Sequence, residues 1–333
     1  MTLSKPLKAA RRIGSGRLHA QETRILGQIL RELRQVHYQF ITPTPATIAR
    51  VNVRSGNENA LNLAGALGWS RPFRLELLPR NLRDLMAEAE LLLPYDDRFL
   101  SAIRVSTLGR HLYVHSAYPT VAEDSVFFGP DTYRFVAAVQ ARLASRPEPI
   151  RRAVDIGCGA GAGGIVVAEA RPSGDVTMVD INTRALLYAA ANAGAAGVTN
   201  VATSEGDLLS KLDGPFDLIV SNPPYLNDPL ARAYRHGGGA LGEALSVRIV
   251  EAALERLAPG GELILYTGVA MVDGVDPFMT EVSPMLRARD VAWCYHEVDP
   301  DVFGEELDTE PYRSADRIAA VVLTITNRGS LRC

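Results

Sequence analysis

The spacing of apolar positions changes character near residue 120. Before that point Leu26, Ile29, Leu30, Leu33, Val36 and Phe40 recur three or four residues apart, which predicts a long amphipathic helix over about 18–40 that the TPTP run at 42–45 stops. Shorter helices are expected over 57–67 and 80–92, the second with Leu82, Leu85, Met86 and Ala89 on one side and Pro79 near its first turn. SAIRVST and HLYVHSA, separated by LGR, predict a β-hairpin. The first part of the chain therefore reads as a small α-rich unit ending in a β-hairpin. Both a generic packing module and a winged-helix-like nucleic-acid reader have that make-up.

After residue 150 the pattern becomes short apolar run, glycine turn, Ala-rich helix, repeated. AVDIG (153–157), VTMVD (176–180), NVATSEG (200–206) and FDLIV (216–220) are the expected strands. This grammar predicts a doubly wound, mostly parallel α/β sheet of Rossmann-like type, whose ligands lie beyond the carboxyl ends of the strands where strand order reverses. The expected organisation is a flexible basic lead at 1–17, a helical unit with hairpin at 18–120 and an α/β domain at 121–333.

Composition narrows the class. A chain of 333 residues, 47% hydrophobic and 22% charged, is long enough for about two domains with a substantial core. Thirty-five basic against 38 acidic residues give a formal charge of −3 and no global attraction to polyanions. The one local bias is at the start, where residues 1–34 carry eight Lys or Arg against two Glu. That stretch reads as a lead into the first helix, with a nucleic-acid arm or a targeting peptide as alternatives. No apolar run is long enough for a bilayer span or a secretory core, so no membrane partner is expected. Cys158, Cys294 and Cys333 form no CxxC pair, which points to a reducing, cytoplasmic setting with neither structural zinc nor a disulfide framework.

The candidate chemistry sits at the strand ends. The first strand runs into DIGCGAGAGG, 155–164, where glycines let the backbone turn sharply and approach a ligand closely. A formal GxGxxG at Gly159, Gly161 and Gly164 raises a dinucleotide site. Against it, Asp155 stands two residues before Gly157, and a carboxylate beside the loop suits a ligand with a positive charge. Asp180, closing the second strand with Ile181 after it, can accept both hydroxyls of a ribose, which dinucleotides and adenosyl cofactors share. Asp207, followed by Leu208, can accept from an adenine amino group or cap a helix. After the fourth strand comes SNPPYL, 221–226. Two prolines hold an asparagine and a tyrosine at the tip of a core strand.

DIGCGAG, then VD, GD and NPPY at successive strand ends, resembles the class I methyltransferases that use S-adenosyl-L-methionine. Among them the chain is similar to the HemK/PrmC-type protein glutamine methyltransferases. The resemblance covers about 125–270 by motif and the N-terminal unit only by architecture. It implies methyl transfer to the nitrogen of a planar amide or exocyclic amine, with Asn222, Pro223, Pro224 and Tyr225 as catalytic residues. The implied cofactor contacts are Phe128, Pro130, Thr132, Asp155, Gly157, Cys158, Gly159, Gly161, Asp180, Ile181, Asp207, Leu208 and Asn222, with no metal. FFGPDTYRF (127–135) takes the place of the family's RPxTE-like pocket segment, without its Arg or Glu. HGGGALGEALSVRIV (236–250), with Arg248, resembles the family's Gly-rich stretch and helix, and LAPGGELILYTG (257–268) its fifth strand. The 299–320 segment is longer and more acidic than the family pattern and is expected to form a flap before the last strand. The implied partner is a protein such as a peptide release factor. Adenine in RNA or DNA, a small molecule, and a non-catalytic cofactor-binding module remain the alternatives.

Overall fold

A computed structural model describes residues 16–228, 232 and 234–329. The expected basic lead therefore falls outside the described residues except for its last two positions, and Cys333 lies outside them as well.

The N-terminal unit opens with α1 (Gly16–Gln35). This helix stops five residues before the predicted end because His37 takes a left-handed conformation (φ 54°) and the Tyr38 N–H folds back onto the Leu33 carbonyl at 3.0 Å. Tyr38 and Phe40 remain buried, but as the chain leaving the helix. TPTP, expected to stop α1, lies beyond its end and begins the next helix instead. Thr44 accepts a hydrogen bond from the Thr47 N–H, and Pro45 supplies the first position of α2 (Pro45–Asn52), a helix the periodicity did not predict. The helix expected over 57–67 contracts to α3 (Leu63–Leu67), capped by Asn62. α4 (Arg80–Glu88) is followed by β1 (Leu92–Tyr95) and β2 (Arg98–Ser101), a first hairpin that also went unpredicted, and then by the predicted one, β3 (Ile103–Leu108) and β4 (His111–Ser116), turning at Gly109.

The α/β domain continues through α5 (Pro130–Ser145), β5 (Arg152–Ile156), α6 (Ala162–Ala170), β6 (Asp175–Asp180), α7 (Thr183–Ala196), β7 (Val201–Glu205), β8 (Phe216–Ser221), α8 (Ala244–Arg256), β9 (Leu257–Met271), α9 (Pro277–Arg287), β10 (Val291–Asp299) and β11 (Arg317–Asn327). All four strands predicted after residue 150 form within about a residue of their expected bounds. The seven strands are ordered β10-β11-β9-β8-β5-β6-β7; β9, β8, β5, β6 and β7 run parallel, whereas β11 and β10 are antiparallel to their neighbours. This is a mostly parallel, doubly wound α/β sheet of Rossmann-like type. Strand order reverses between β5 and β8, so the loops after these two strands border one crevice.

The two parts of the chain share packing. Ile25, Leu26 and Ile29 of α1 lie in one apolar cluster with Leu187, Tyr188 and Ala191 of α7. Asn192 of α7, 1% exposed, joins three pieces. Its carbonyl accepts from the Val114 N–H at 2.8 Å, and its amide donates to the carbonyls of Val114 at 3.1 Å and Ala160 at 2.9 Å. A buried amide satisfied on both sides in this way fixes the hairpin against the glycine loop. No helix among the described residues is long and apolar enough to cross a membrane.

Candidate active site

The loops after β5, β6, β7 and β8 and the segment before α5 line one cleft. The glycine loop forms its floor. Gly157 and Gly159 both adopt positive φ (66° and 52°), and a side chain at Gly157 would enter open space, so backbone conformation rather than packing demands glycine there. Asp155 lies just beneath, 1% exposed, accepting from the Gly164 N–H at 2.7 Å. Burial, reinforced by the nearby Asp180 carboxylate, pushes the Asp155 acid up to about 7. Asp180 accepts from the Gly159 N–H and the Asn182 N–H, both at 2.9 Å, and burial raises its acid as well. Two incompletely neutralised carboxylates in a largely apolar cleft suit a ligand that brings positive charge and hydroxyl donors.

Beside the glycine loop lies the tip of β8, the strand that pairs with β5. Ser221 donates to the Ile156 carbonyl at 2.7 Å, tying β8 to β5 just before the prolines. Asn222, Pro223, Pro224 and Tyr225 all border the cleft. Among the described residues the Asn222 amide has no hydrogen-bond partner, so its carbonyl oxygen can accept from a bound substrate. The glycine-rich stretch packs directly against this tip. A Cβ at Gly242 would collide with the Tyr225 carbonyl, and one at Gly268 of β9 with the Tyr225 ring. The ring is thereby fixed rather than free to swing over a substrate, and it meets Phe303 edge-on at 5.9 Å between centroids. The Tyr225 hydroxyl is buried beside the Asp131 carboxyl without completing a hydrogen bond. Asp131, 4% exposed, accepts instead from the Tyr266 hydroxyl at 2.7 Å, and burial raises its acid.

Of the predicted site residues, Phe128, Thr132, Asp155, Gly157, Cys158, Gly159, Asp180, Ile181, Asp207, Leu208 and the whole of 222–225 border this one cleft. Two do not. Pro130 is the first residue of α5, and Gly161 is the left-handed cap of α6, packed on Ala189 and Met178. Both shape the cleft through the helices they start. Thr132 has a double role, since its hydroxyl also accepts from the Gly129 N–H at 3.3 Å. Asp207 does not cap an α-helix. It receives the Arg248 guanidinium at 2.8 Å in a solvent-exposed pair. The sequence reading missed Phe127, Asp131, Tyr234, Arg235 and Phe303, all of which border the cleft. Phe127 and Tyr234 stack at 6.5 Å, and the Tyr234 hydroxyl donates to the Thr120 carbonyl at 2.6 Å. Phe303 comes from the acidic segment after β10, too far along the chain for a strand-end motif to flag. No group of His, Cys, Asp and Glu among the described residues could hold a metal ion.

Residues 137–271 match the Methyltransferase small domain family. The chain is 36% identical over 186 residues to the release factor glutamine methyltransferase of Deinococcus radiodurans, covering 51% of this chain and 60% of that one. It is 37% identical over 134 residues to the ribosomal protein uL3 glutamine methyltransferase of Bordetella pertussis, covering 37% and 45%. It is 35% identical over 122 residues to the ribosomal RNA small subunit methyltransferase C of Pasteurella multocida, covering 36% and 34%. The matched region thus spans less than two thirds of each relative.

Proposed function

We propose that this chain, a class I methyltransferase by its strand order and by the family it matches, transfers the methyl group of S-adenosyl-L-methionine to the side-chain amide of a glutamine in a protein of the translation apparatus, such as a release factor. The observation that carries this reading is the convergence of Asn222 and Pro223 with the glycine loop and Asp180 on one cleft.

The residues present fit the cofactor. Gly157 and Gly159 leave room for close approach, Asp180 offers acceptors to two ribose hydroxyls, and Asp155 supplies a buried carboxyl for a cationic centre. When bound, S-adenosylmethionine provides an electrophilic methyl group on a sulfonium. The protein's own task is to make a poor nucleophile competent, because an amide nitrogen has its lone pair delocalised into the carbonyl. The Asn222 side-chain oxygen and the Pro223 carbonyl accept from the two N–H bonds and favour a tetrahedral nitrogen. The prolines hold both acceptors without ordering at the moment of reaction. Methyl transfer makes the nitrogen acidic, and its proton leaves to water. Alignment along the sulfur–methyl axis supplies much of the remaining acceleration. Residues 18–120 serve in this reading as the substrate-recognition unit.

A second reading, methylation of a nucleobase, is favoured by the ribosomal RNA methyltransferase among the relatives. The acidic 299–316 segment beside the cleft disfavours a polyanion. Incubation with labelled cofactor and, separately, release factors, ribosomal proteins, total RNA and DNA, followed by mass spectrometry, distinguishes them. Label on a glutamine amide is expected; label on nucleobases with none on protein overturns the glutamine reading.

A further inference from the structure

We propose that the acidic segment between β10 and β11 is the acceptor-side wall of the site, and that Phe303 sets the width of the slot beside Asn222 and Pro223. The inference rests on the methyl-transfer reading above and adds to it a residue that governs which planar groups enter.

The segment is built to hold one ring in place. Val302 is buried and its N–H donates to the Ile318 carbonyl at 2.8 Å, pinning the start of the flap to β11. Tyr312, 1% exposed, pins the far end: its hydroxyl accepts from the Asn227 N–H at 2.6 Å and donates to the Leu241 carbonyl at 3.1 Å. The flap is thus attached both to the chain leaving the NPPY tip and to the glycine-rich stretch packed under it. Between these anchors the Glu306 carboxylate pairs with Arg235, itself a residue of the cleft.

Phe303 adopts φ 54° and ψ 39°, a left-handed conformation unfavourable for a bulky side chain. Glycine stands next to it at 304, yet the aromatic residue takes the strained position. The result is a ring that borders the cleft and meets Tyr225 edge-on. A left-handed backbone at a bulky residue that touches a site points to a role for its side chain there. A ring that lines the same cleft as Asn222 and packs on Tyr225 of the same tip narrows the acceptor side to a slot suited to a flat carboxamide, whereas a purine presents a larger bicyclic face. The charge of the flap acts in the same sense. Of the seven carboxylates in residues 299–316, Asp299, Glu306 and Glu310 pair with Arg134, Arg235 and Arg313, and the four that remain give the flap a net negative charge that disfavours a phosphate backbone.

The test compares the parent enzyme with Phe303→Ala and Phe303→Leu. With the cofactor site saturated by S-adenosylhomocysteine, guanosine binding is followed by NMR titration. The parent and Phe303→Leu are expected to bind no guanosine at millimolar concentration, and Phe303→Ala to bind it. With a release factor as acceptor, Phe303→Ala is expected to raise KM about tenfold and to keep its S-adenosylhomocysteine affinity within twofold. Parent-like guanosine exclusion by a folded Phe303→Ala overturns the proposal whichever acceptor the enzyme uses; so does guanosine binding by the parent. Absence of protein methylation by the parent, with the guanosine result as expected, overturns the glutamine reading and leaves the wall standing.

Discussion

Two of the groups of ionisable side chains that burial perturbs in this molecule differ in their surroundings, and the difference separates chemistry from architecture. In the cleft, Asp155, Asp180 and Asp131 are raised by burial and open onto a shared space. Behind it, between the N-terminal unit and α5, Arg104 (2% exposed) and His115 (0%) are buried as well. Burial draws the Arg104 guanidinium down to about 10 and the His115 imidazole well below its usual range. There the partners are hydroxyls and carbonyls: His115 Nε2 meets the Ser106 hydroxyl at 2.7 Å, Arg104 Nε donates to the Ser116 carbonyl at 3.3 Å, and the Tyr38 hydroxyl donates to the Val105 carbonyl at 2.9 Å. None of these side chains borders the cleft. Desolvation perturbs both sets, so perturbation alone does not mark a reactive site; access for a ligand does.

The strongest way to break this contrast is at the tip of β8. In the proposed mechanism Asn222→Ala removes the acceptor that engages the amide most strongly as its nitrogen becomes tetrahedral, so turnover is expected to fall about 100- to 1000-fold. Cofactor affinity should stay within a few-fold. Single-turnover kinetics alongside calorimetry would separate the two, and an unchanged rate would mean that the cleft works by another mechanism.

Asp180→Ala comes next. It deletes the two acceptors proposed for the ribose and also the anchor of the Gly159 and Asn182 N–H groups, so cofactor binding should weaken by roughly 2–4 kcal/mol. Calorimetric affinity equal to the parent's, or tight binding of NAD by the parent, would contradict the assignment of this wall.

How far these residues could be read from sequence follows the same division. The parallel strands and their terminal groups were legible because a buried parallel strand leaves a short apolar run, and its ligand-binding residues follow it at once. The N-terminal helices were less so. TPTP looked like a stop but begins α2, since a threonine and a proline are equally at home in a cap. The β1–β2 hairpin was hidden because Leu91 and Leu92 extended the helical periodicity past the true end of α4. Phe303 and Asp131 had no local signal at all. Phe303 reaches the cleft through an irregular flap, and Asp131 is made a cleft residue by Tyr266, 135 positions further along. Close packing of the glycine-rich stretch under Tyr225 likewise appears only in three dimensions.

A pH titration sharpens the comparison on the cleft side. Asp155 is raised to about 7, so at pH 6 it is mostly protonated in the ligand-free protein, while a sulfonium favours its ionised form. Binding then releases a proton, and affinity for S-adenosylmethionine should rise about tenfold between pH 6 and pH 8, levelling off above the Asp155 pKa. S-adenosylhomocysteine, an uncharged thioether at sulfur, should show a flatter profile. Asp155→Asn should flatten the profile for S-adenosylmethionine as well. A steep profile retained in Asp155→Asn would assign the proton to another group.

The smallest expected effect tests the sealed side. Tyr38→Phe deletes the hydroxyl that donates to the Val105 carbonyl, in a place with no cleft beside it. Losing one buried hydrogen bond should cost about 1 kcal/mol of stability, visible as a small drop in Tm, with cofactor affinity within twofold of the parent. The control is informative because a physical route between the two regions exists. His115 stacks on Phe128 at 5.1 Å and 18°, and Phe128 borders the cleft. If the polar layer is only a rigid backing for that ring, one missing hydroxyl two residues removed in the network leaves Phe128 where it was. A fall in cofactor affinity of fivefold or more in Tyr38→Phe, with the fold intact by circular dichroism, would show instead that the sealed layer tunes the cleft through the His115–Phe128 stack.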